Sequence, residues 1–565
     1  MKKLDIEHKQ VFFLSVGIFL LSIFLRFWQL GKIPVGLYWD ETAIFIDAKT
    51  ISQTLKDMHG DSAFQTIFLS YGDYKLPMYI WLASLSFKLL GSSEFTLRLP
   101  SAVVGVLQGL VVFILLRELT QRRLTDKMSW RVSLLGWFIV AISPWSILFS
   151  RTGFEGYTGQ FLVTTAVLCL MLSLKSKKWL IGSVLLAIAG VYSYYSVRFV
   201  WPVLVICFWF CFVSIEKWSL WRKPLNLVKN LFLSSLPYLV CLVIWGIGLI
   251  PIFSSPYYAA SQQFRLSASS ILDPTPYNIQ SNALRDVTGN NTVSRVLYHG
   301  WLLQIQSLLE NYSDHFDLSF LFLTGDPNLR HSTGEHGLFL LFSLPLLVSG
   351  IYYGVKKQPN VLVFLSIWWL IALLPASVPT DTPHALRSLN ALTPIILLMA
   401  IGAVPFVNCF HSLKKQRTKQ AVLYAVILLV SYQLIMFVVD YFYVYPVKSA
   451  MWWQQGYKDI VLTVDQNRNK YDKIWINIED DRFFLWYLAY GDLTVQEIQV
   501  AMQHELILKS WENIEYKAYP KDRYPTAVKP FIIVTRAGSL EFEPTHKKII
   551  NDSYGLPKFE VGFYE

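Results

Sequence analysis

The apolar residues of this chain are gathered into long runs, which are separated by short segments rich in lysine and arginine. A run of roughly 17–25 apolar residues is long enough to cross about 30 Å of hydrocarbon as an α-helix. Only 16% of the residues are charged, whereas a soluble chain carries about 25%. We therefore predict a mostly α-helical integral membrane protein with about eleven transmembrane helices. The runs cover residues 10–30, 99–117, 132–149, 158–174, 179–196, 199–215, 230–253, 337–355, 360–376, 389–409 and 420–440.

The basic segments indicate the topology of this membrane domain. Cytoplasmic loops carry an excess of lysine and arginine, and every basic cluster lies inside if the N-terminus is cytoplasmic and the C-terminus extracytoplasmic. The net charge of +11 is then a topology signal, and it does not indicate a nucleic-acid partner. We predict a multi-pass protein of the cell membrane, in contact with membrane lipid. The clusters lie at residues 2–9, 117–131, 175–178, 217–229, 356–357 and 414–419.

A further apolar run, residues 76–90, is shorter than a typical membrane-crossing helix. If it crossed the membrane, the basic loop around Arg122 and Arg123 would lie outside. We therefore predict a helix that lies on the outer membrane surface or re-enters the membrane from that side.

Three regions on the predicted outer side are long and polar. Residues 31–98 and 254–336 are predicted to be outer loops of a transmembrane domain that covers residues 1–444. Residues 445–565 combine strand-like runs, such as residues 473–478, with helix-like segments. We predict that they form a small, soluble, extracytoplasmic α/β domain.

Two adjacent carboxylates, Asp40 and Glu41, directly follow the first apolar run. Carboxylates near a bilayer are costly unless they are solvated or paired, and one placed there can act as a general base toward a hydroxyl or amine. The alternative is structural, because Asp40 could be the N-cap of a helix over residues 41–55. Both interpretations are compatible with the sequence.

Two cations follow in the same outer loop. Lys75 precedes Leu76-Pro77 at the start of the short apolar run, and Arg98 stands at the outer end of the second predicted span. Fixed cations at this depth can hold an anionic headgroup such as a phosphate. The alternative is that both side chains reach to the membrane interface, as long basic side chains commonly do.

Other polar residues recur at the predicted outer ends of spans. Each by itself is typical of a turn or an interface anchor, but together they indicate a polar site on the outer side. His331, His336 and His384 could ligate a divalent metal, yet their spacing does not indicate one. We therefore predict that no metal or other cofactor is required. The candidate binding residues are Arg151, Glu155, Arg198, Asp326, Arg330, His331, His384 and Arg387.

The order of motifs in the first outer loop resembles that of a known family. The Asp-Glu pair is followed by Tyr-x-x-x-Lys-x-Pro at residues 71–77, by Tyr-x-Trp-Leu at 79–82, and by Glu-Phe-x-x-Arg-Leu-Pro-Ser at 94–101. These motifs resemble those of the lipid-dependent, multi-spanning glycosyltransferases of the GT-C fold. Among them, the chain resembles the protein O-mannosyltransferases and the lipid A aminoarabinose transferases.

The resemblance implies a sugar donor carried on a polyprenyl phosphate, an acceptor approaching from the outer side, and inversion at the anomeric carbon. The acceptor is a protein, a glycolipid or a glycan. Asp40 takes the role of the base, with Glu41 as a neighbour or partial substitute, and Lys75 and Arg98 take positions near the donor phosphate. Relatives often have Lys-Pro-Pro where this chain has Lys75-Leu76-Pro77, so the local turn at Lys75 can differ.

Two other functions are compatible with a multi-spanning chain. A transporter or flippase for lipid-linked sugars would be expected to place ionisable or helix-breaking residues at mid-membrane, whereas the charges here stand at the outer ends. A receptor or assembly scaffold acting through residues 445–565 would leave the arrangement of Asp40, Glu41 and Lys75 unexplained.

Overall fold

The computed structural model describes residues 2–214, 224–267, 271–478, 480, 482–503, 510–516, 530–540 and 542–565. The basic side chains predicted at residues 217–229 lie outside this description. The chain forms two compact units. The helical unit comprises Met1–Trp28, Ser101–Ser150 and Glu155–Val438, and the mixed unit comprises Gln29–Pro100, Arg151–Phe154 and Val439–Glu565.

The helical unit is built from apolar helices, and every predicted apolar run overlaps one of them. Short π or 3-10 segments occur at Trp209–Ser214, Ser319–Leu323, Leu341–Ser343 and Leu389–Ala391. The helices that contribute to this unit are Lys2–Phe27, Glu94–Thr120, Asp126–Ile142, Pro144–Phe149, Glu155–Leu172, Trp179–Val191, Val197–Phe208, Pro224–Phe253, Tyr258–Ser267, Thr275–Val287, Thr292–Leu297, Gly300–Asp314, Leu344–Lys357, Pro359–Ser377, Leu392–Ser412 and Gln416–Val439.

Seven helices within the described residues are long and apolar enough to cross a membrane. The chain is therefore a multi-pass membrane protein, while the predicted number of eleven spans and the orientation of the termini stay predictions. The run at residues 132–149 shows why the counts differ. It is divided at Ser143, whose side chain accepts a hydrogen bond from the Ser146 N–H, and a second helix begins at Pro144. The seven are Lys9–Phe27, Glu94–Thr120, Val197–Ser214, Leu231–Phe253, Pro359–Ser377, Leu389–Ser412 and Gln416–Lys448.

The short apolar run forms the helix Pro77–Leu90, which has 14 residues. At 1.5 Å per residue this helix is about 21 Å long, less than the hydrocarbon thickness of a bilayer. One face, formed by Tyr79, Ile80, Ala83 and Phe87, is buried within the mixed unit. Much of its apolar surface is thus covered by protein, and its position at the membrane surface stays a prediction.

The mixed unit contains a hairpin, a sheet and short helices. Strands β1 (Phe68–Ser70) and β2 (Asp73–Lys75) form the antiparallel hairpin. The sheet has six strands in the order β4-β5-β3-β6-β8-β7, with β3 parallel to both neighbours and the remaining pairs antiparallel. These strands are β3 (Lys473–Asn477), β4 (Ser510–Trp511), β5 (Ile514–Glu515), β6 (Phe531–Arg536), β7 (His546–Asn551) and β8 (Pro557–Tyr564). The helices are Trp39–Thr54, Pro77–Leu90, Tyr445–Lys448, Tyr457–Asp465, Arg468–Lys470, Phe484–Tyr490 and Val495–Gln503.

The first outer loop and the C-terminal region share one hydrophobic core. The domain boundary predicted at residue 445 therefore does not coincide with the division into units, since the C-terminal sheet packs with residues from the start of the chain. The helix Trp39–Thr54 packs both against Pro77–Leu90 of its own loop and against Phe484–Tyr490 of the C-terminal region. Core residues from the two regions include Ile46, Ile80, Ile474 and Val561.

Candidate functional site

The predicted pair of carboxylates stands in the first turn of the helix Trp39–Thr54. The N-cap position is occupied by Tyr38, which has extended backbone angles and makes no side-chain capping bond. The alternative that Asp40 is the N-cap is therefore wrong. Both Asp40 and Glu41 lie where the helix dipole favours negative charge, and their side chains are available for other partners.

The hairpin brings Lys75 against Asp40. Because β1 and β2 pair with Phe68 opposite Lys75, the lysine stands at the end of the second strand. Its Nζ lies 2.6 Å from Asp40 Oδ1 and 3.4 Å from Asp73 Oδ2. The lysine side chain is only 3% exposed, whereas that of Asp40 is 31% exposed. A buried ammonium thus fixes the orientation of a carboxylate that remains accessible from outside the protein.

Arg98 makes a buried bidentate ion pair with Glu41. Its Nε donates to Glu41 Oε1 at 3.0 Å, and its Nη2 donates to Oε2 at 2.8 Å. The guanidinium also donates to the carbonyl oxygens of Pro34 and Gly36. Both charged side chains are fully buried, so Arg98 does not extend toward the interface as the alternative interpretation required. Arg98 thus ties the end of the first outer loop to the beginning of that loop and to the start of its helix.

Two glycines let the backbone approach this ion pair closely. The N–H of Gly153 donates to Glu41 Oε1, which adds a third donor to the carboxylate. A Cβ on Gly36 would collide with the carbonyl oxygen of Trp453, whose ring lies 5.7 Å from the Arg98 guanidinium. The Glu41–Arg98 pair is therefore enclosed by three separate segments of the mixed unit.

Arg151 is a second buried arginine of the mixed unit. Its Nε donates to the Tyr441 hydroxyl at 3.1 Å, and its Nη2 donates to the carbonyl oxygen of Ile33 at 3.2 Å. The guanidinium also lies 5.0 Å from the ring centroid of Phe442. Arg151 thus joins the first outer loop to the segment that directly precedes the C-terminal region.

Two polar residues near Asp40 were missed by the sequence analysis. Asp47 lies two turns after Asp40, on the same helix face, and is fully buried with Oδ1 accepting from the Met58 N–H. Burial, with Asp57 nearby, raises the pKa of Asp47 well above its usual value. Arg482 places its guanidinium 4.1 Å from the Trp39 ring centroid. The seven-residue spacing could have identified Asp47, but no local signal connects Arg482 with the first outer loop.

A basic group lies in the helical unit. The guanidinium carbons of Arg198 and Arg265 lie 4.5 and 3.7 Å from the ring centroid of Tyr195. The Nε and Nη2 atoms of Arg198 are buried, and neither has a hydrogen-bond partner among the described residues. Arg387 donates from Nη1 to the carbonyl oxygen of Asp381 at 3.3 Å. The buried Nε and Nη2 of Arg198 can donate to an anion.

Predicted residues of two outer loops come together in the same unit. His331 Nδ1 lies 3.3 Å from Asp326 Oδ2, and the ring centroids of His331 and His384 are 4.5 Å apart. One ligand atom from each of these three buried residues lies within 4.8 Å of the other two. The sequence spacing gave no indication of this cluster, because His384 is distant along the chain.

The two remaining candidates have local contacts. Glu155 begins the helix Glu155–Leu172, and its carbonyl oxygen accepts from the Ser193 hydroxyl at 2.9 Å. Arg330 donates from Nε to the side-chain oxygen of Asn328 at 3.0 Å. These contacts stabilise the turns in which the two residues stand.

The chain is similar to a known protein family in sequence and to solved proteins in structure. Residues 75–245 match the family of dolichyl-phosphate-mannose-protein mannosyltransferases. A search among curated protein sequences gave no match. Two proteins of known structure also match the chain.

The first is the oligosaccharyltransferase AglB of Archaeoglobus fulgidus, solved with an inhibitory peptide and a dolichol-phosphate. It is 13% identical, with a TM-score of 0.48 over 93% of this chain and 69% of that chain. The second is ArnT of Cupriavidus metallidurans, solved with undecaprenyl phosphate. It is 11% identical, with a TM-score of 0.48 over 98% of this chain and 97% of that chain. Residues 75–245 of the chain are thus similar to the dolichyl-phosphate-mannose-protein mannosyltransferase family.

Proposed function

We propose that the chain is an inverting membrane glycosyltransferase, which moves a sugar from a polyprenyl-phosphate donor to an acceptor on the extracytoplasmic side. The observation that carries this proposal is the accessible Asp40 carboxylate held by the buried Lys75 ammonium. The family similarity of residues 75–245, which include Lys75, supports the same reaction class.

Asp40 is the proposed general base. Lys75 binds Oδ1 of Asp40, so Oδ2 is the oxygen that we assign to proton transfer. As the acceptor attacks the anomeric carbon, its proton passes to this carboxylate. For Lys75 we propose orientation of Asp40, together with the phosphate contact implied by the resemblance.

The leaving group is the polyprenyl phosphate. The bond from the anomeric carbon to the phosphate oxygen breaks as the new bond to the acceptor forms, and the sugar passes through an oxocarbenium-like state. The bonding electrons remain on the phosphate, which needs no proton to depart. Cations arranged in advance around that negative charge lower the barrier.

Arg198, with Arg265 and Arg387, is the proposed phosphate-binding group. The unpartnered nitrogens of Arg198 among the described residues are suited to two parallel hydrogen bonds with a phosphate. Arg98 is less suited, because Glu41 and three carbonyl oxygens already accept its hydrogen bonds. We therefore assign Arg98 and Glu41 to positioning of the first outer loop.

The proposal is tested with purified full-length protein, a radiolabelled polyprenyl-phosphate mannose, and peptide or glycolipid acceptors. The wild type is expected to transfer the label. Arg198→Gln is expected to raise the donor KM roughly 10–100-fold, since a hydrogen bond to a charged group contributes about 1.5–3 kcal/mol. The matched control is Arg295→Gln, which removes an exposed arginine of the same unit.

Two results would count against the proposal. An unchanged donor KM in Arg198→Gln would show that Arg198 does not bind the donor phosphate. If the protein moves intact lipid-linked sugar between leaflets and transfers no sugar from any donor to an acceptor, it is instead a flippase. Activity with a pentose donor in place of mannose would change the sugar and leave the reaction class intact.

A further inference from the structure

We propose that Asp326, His331 and His384 form a binding site for a divalent metal ion, with Zn²⁺ as the ion that their donor atoms fit best. The three residues are buried, and each offers a ligand atom within 4.8 Å of the others. The proposal replaces the metal-free expectation that rested on sequence spacing. It does not depend on the proposed transfer reaction.

Two outer loops meet at Asp326. Its Oδ1 accepts from the Asn328 N–H at 2.8 Å, and the Ser332 hydroxyl donates to its carbonyl oxygen, so the first loop is folded around this residue. Its Oδ2 accepts from the N–H of Ala385 in the second loop, also at 2.8 Å. The bond to Ala385 places the neighbouring residue His384 beside His331.

The donor set suits zinc. Tetrahedral Zn²⁺ with bonds of about 2.0–2.2 Å holds neighbouring ligand atoms roughly 3.3–3.5 Å apart. The separation of His331 Nδ1 from Asp326 Oδ2 is 3.3 Å, and a ligand atom of His384 lies within 4.8 Å of both residues. Two imidazoles and one carboxylate leave the fourth position for water or another ligand. Mg²⁺ prefers oxygen ligands, so it is expected to bind poorly.

A neighbouring histidine supports the backbone of the proposed ligand His384. His315 accepts a hydrogen bond from the backbone N–H of His384, and its other ring nitrogen contacts the Asn311 carbonyl oxygen at 2.9 Å. Such supporting contacts orient the ligands of metal sites.

The competing interpretation is an Asp326–His331 ion pair without a metal. Arg330 and Arg387 act electrostatically on His384, and they also oppose a bound cation. The Asp326 carboxylate supplies a negative charge that offsets part of this repulsion. A metal at this position would join the two loops and fix the start of the helix that follows His384.

The experiment uses purified full-length protein in detergent, stripped with a chelator, reloaded with Zn²⁺ and desalted before elemental analysis. The wild type is expected to retain about one ion per chain. His331→Gln and His384→Gln are each expected to lower Zn²⁺ affinity by at least about tenfold, because the loss of even a supporting contact has effects of 10–100-fold. His299→Gln, which changes a histidine outside the cluster, is the matched control and should retain zinc.

A second measurement needs no variant. Co²⁺ added to the stripped wild type should give the visible absorption of a tetrahedral site, Zn²⁺ should abolish it, and Mg²⁺ should not. The proposal is overturned if the wild type retains no zinc and shows no cobalt absorption. It is also overturned if the double variant His331→Gln/His384→Gln retains as much zinc as the wild type.

Discussion

Asp40→Asn is expected to reduce the rate of sugar transfer roughly 10²–10⁴-fold, the usual contribution of a positioned general base. Asparagine keeps the size of the side chain and an oxygen for Lys75 but cannot accept the acceptor's proton. Because the change lies at the accessible end of the pair, donor binding should be nearly unaffected. Single-turnover transfer and equilibrium donor binding, measured on the same preparations, separate the two effects.

The matched control is Asp73→Asn. Asp73 contacts the same Lys75 ammonium at 3.4 Å and is 30% exposed, so this variant removes an equal charge from the same neighbourhood. We expect less than about tenfold loss of rate, since Asp40 remains as the closer partner of Lys75 at 2.6 Å and keeps its proton-accepting oxygen. Equal losses in both variants would mean that Asp40 acts through the charge balance at Lys75, and the assignment as base would be wrong.

Glu41→Gln is expected to destabilise the mixed unit by about 3–5 kcal/mol, because it leaves the buried Arg98 guanidinium without its carboxylate. Glu41 also accepts from the N–H of Gly153, so a third segment loses part of its anchoring. The expected result is a large fall in the apparent unfolding temperature of the purified protein. Any loss of activity should follow this loss of folded protein.

The control for this prediction is Glu94→Gln. Glu94 pairs with Lys458 at 2.6 Å in the same unit, but that lysine is 45% exposed, so its charge can be solvated when the carboxylate is removed. A destabilisation of no more than about 1 kcal/mol is expected. If the two variants shift the unfolding temperature equally, the Glu41–Arg98 pair does not have the structural role assigned here.

The first outer loop shows how far sequence reasoning reached. The order of its motifs led to Asp40 and Lys75 together, and the structure brings these two side chains into contact. The motif that contains Arg98 did not indicate that its side chain pairs with Glu41. A cation after an outer loop can extend to the interface, bind a phosphate or enter an internal ion pair, and only the positions of Glu41, Pro34 and Gly36 distinguish these outcomes.

The histidines show the opposite case. His331 and His384 were candidates by residue type, but their spacing did not suggest a metal site. They approach each other because Asp326 bonds to the backbone of the second loop. Such a bond depends on how two loops pack, for which the sequence carries no periodic signal.

The sequence by itself determined that this is a multi-pass, mostly helical membrane protein with its candidate site residues grouped in a few polar loops. That information is local, because hydrophobic length and charge are properties of contiguous residues. The tertiary structure decided which of those residues meet. It joined the first outer loop and the C-terminal region in one core, buried the Glu41–Arg98 pair, and left Asp40 accessible. Burial and pairing depend on contacts between distant segments, so only the packed chain could assign them.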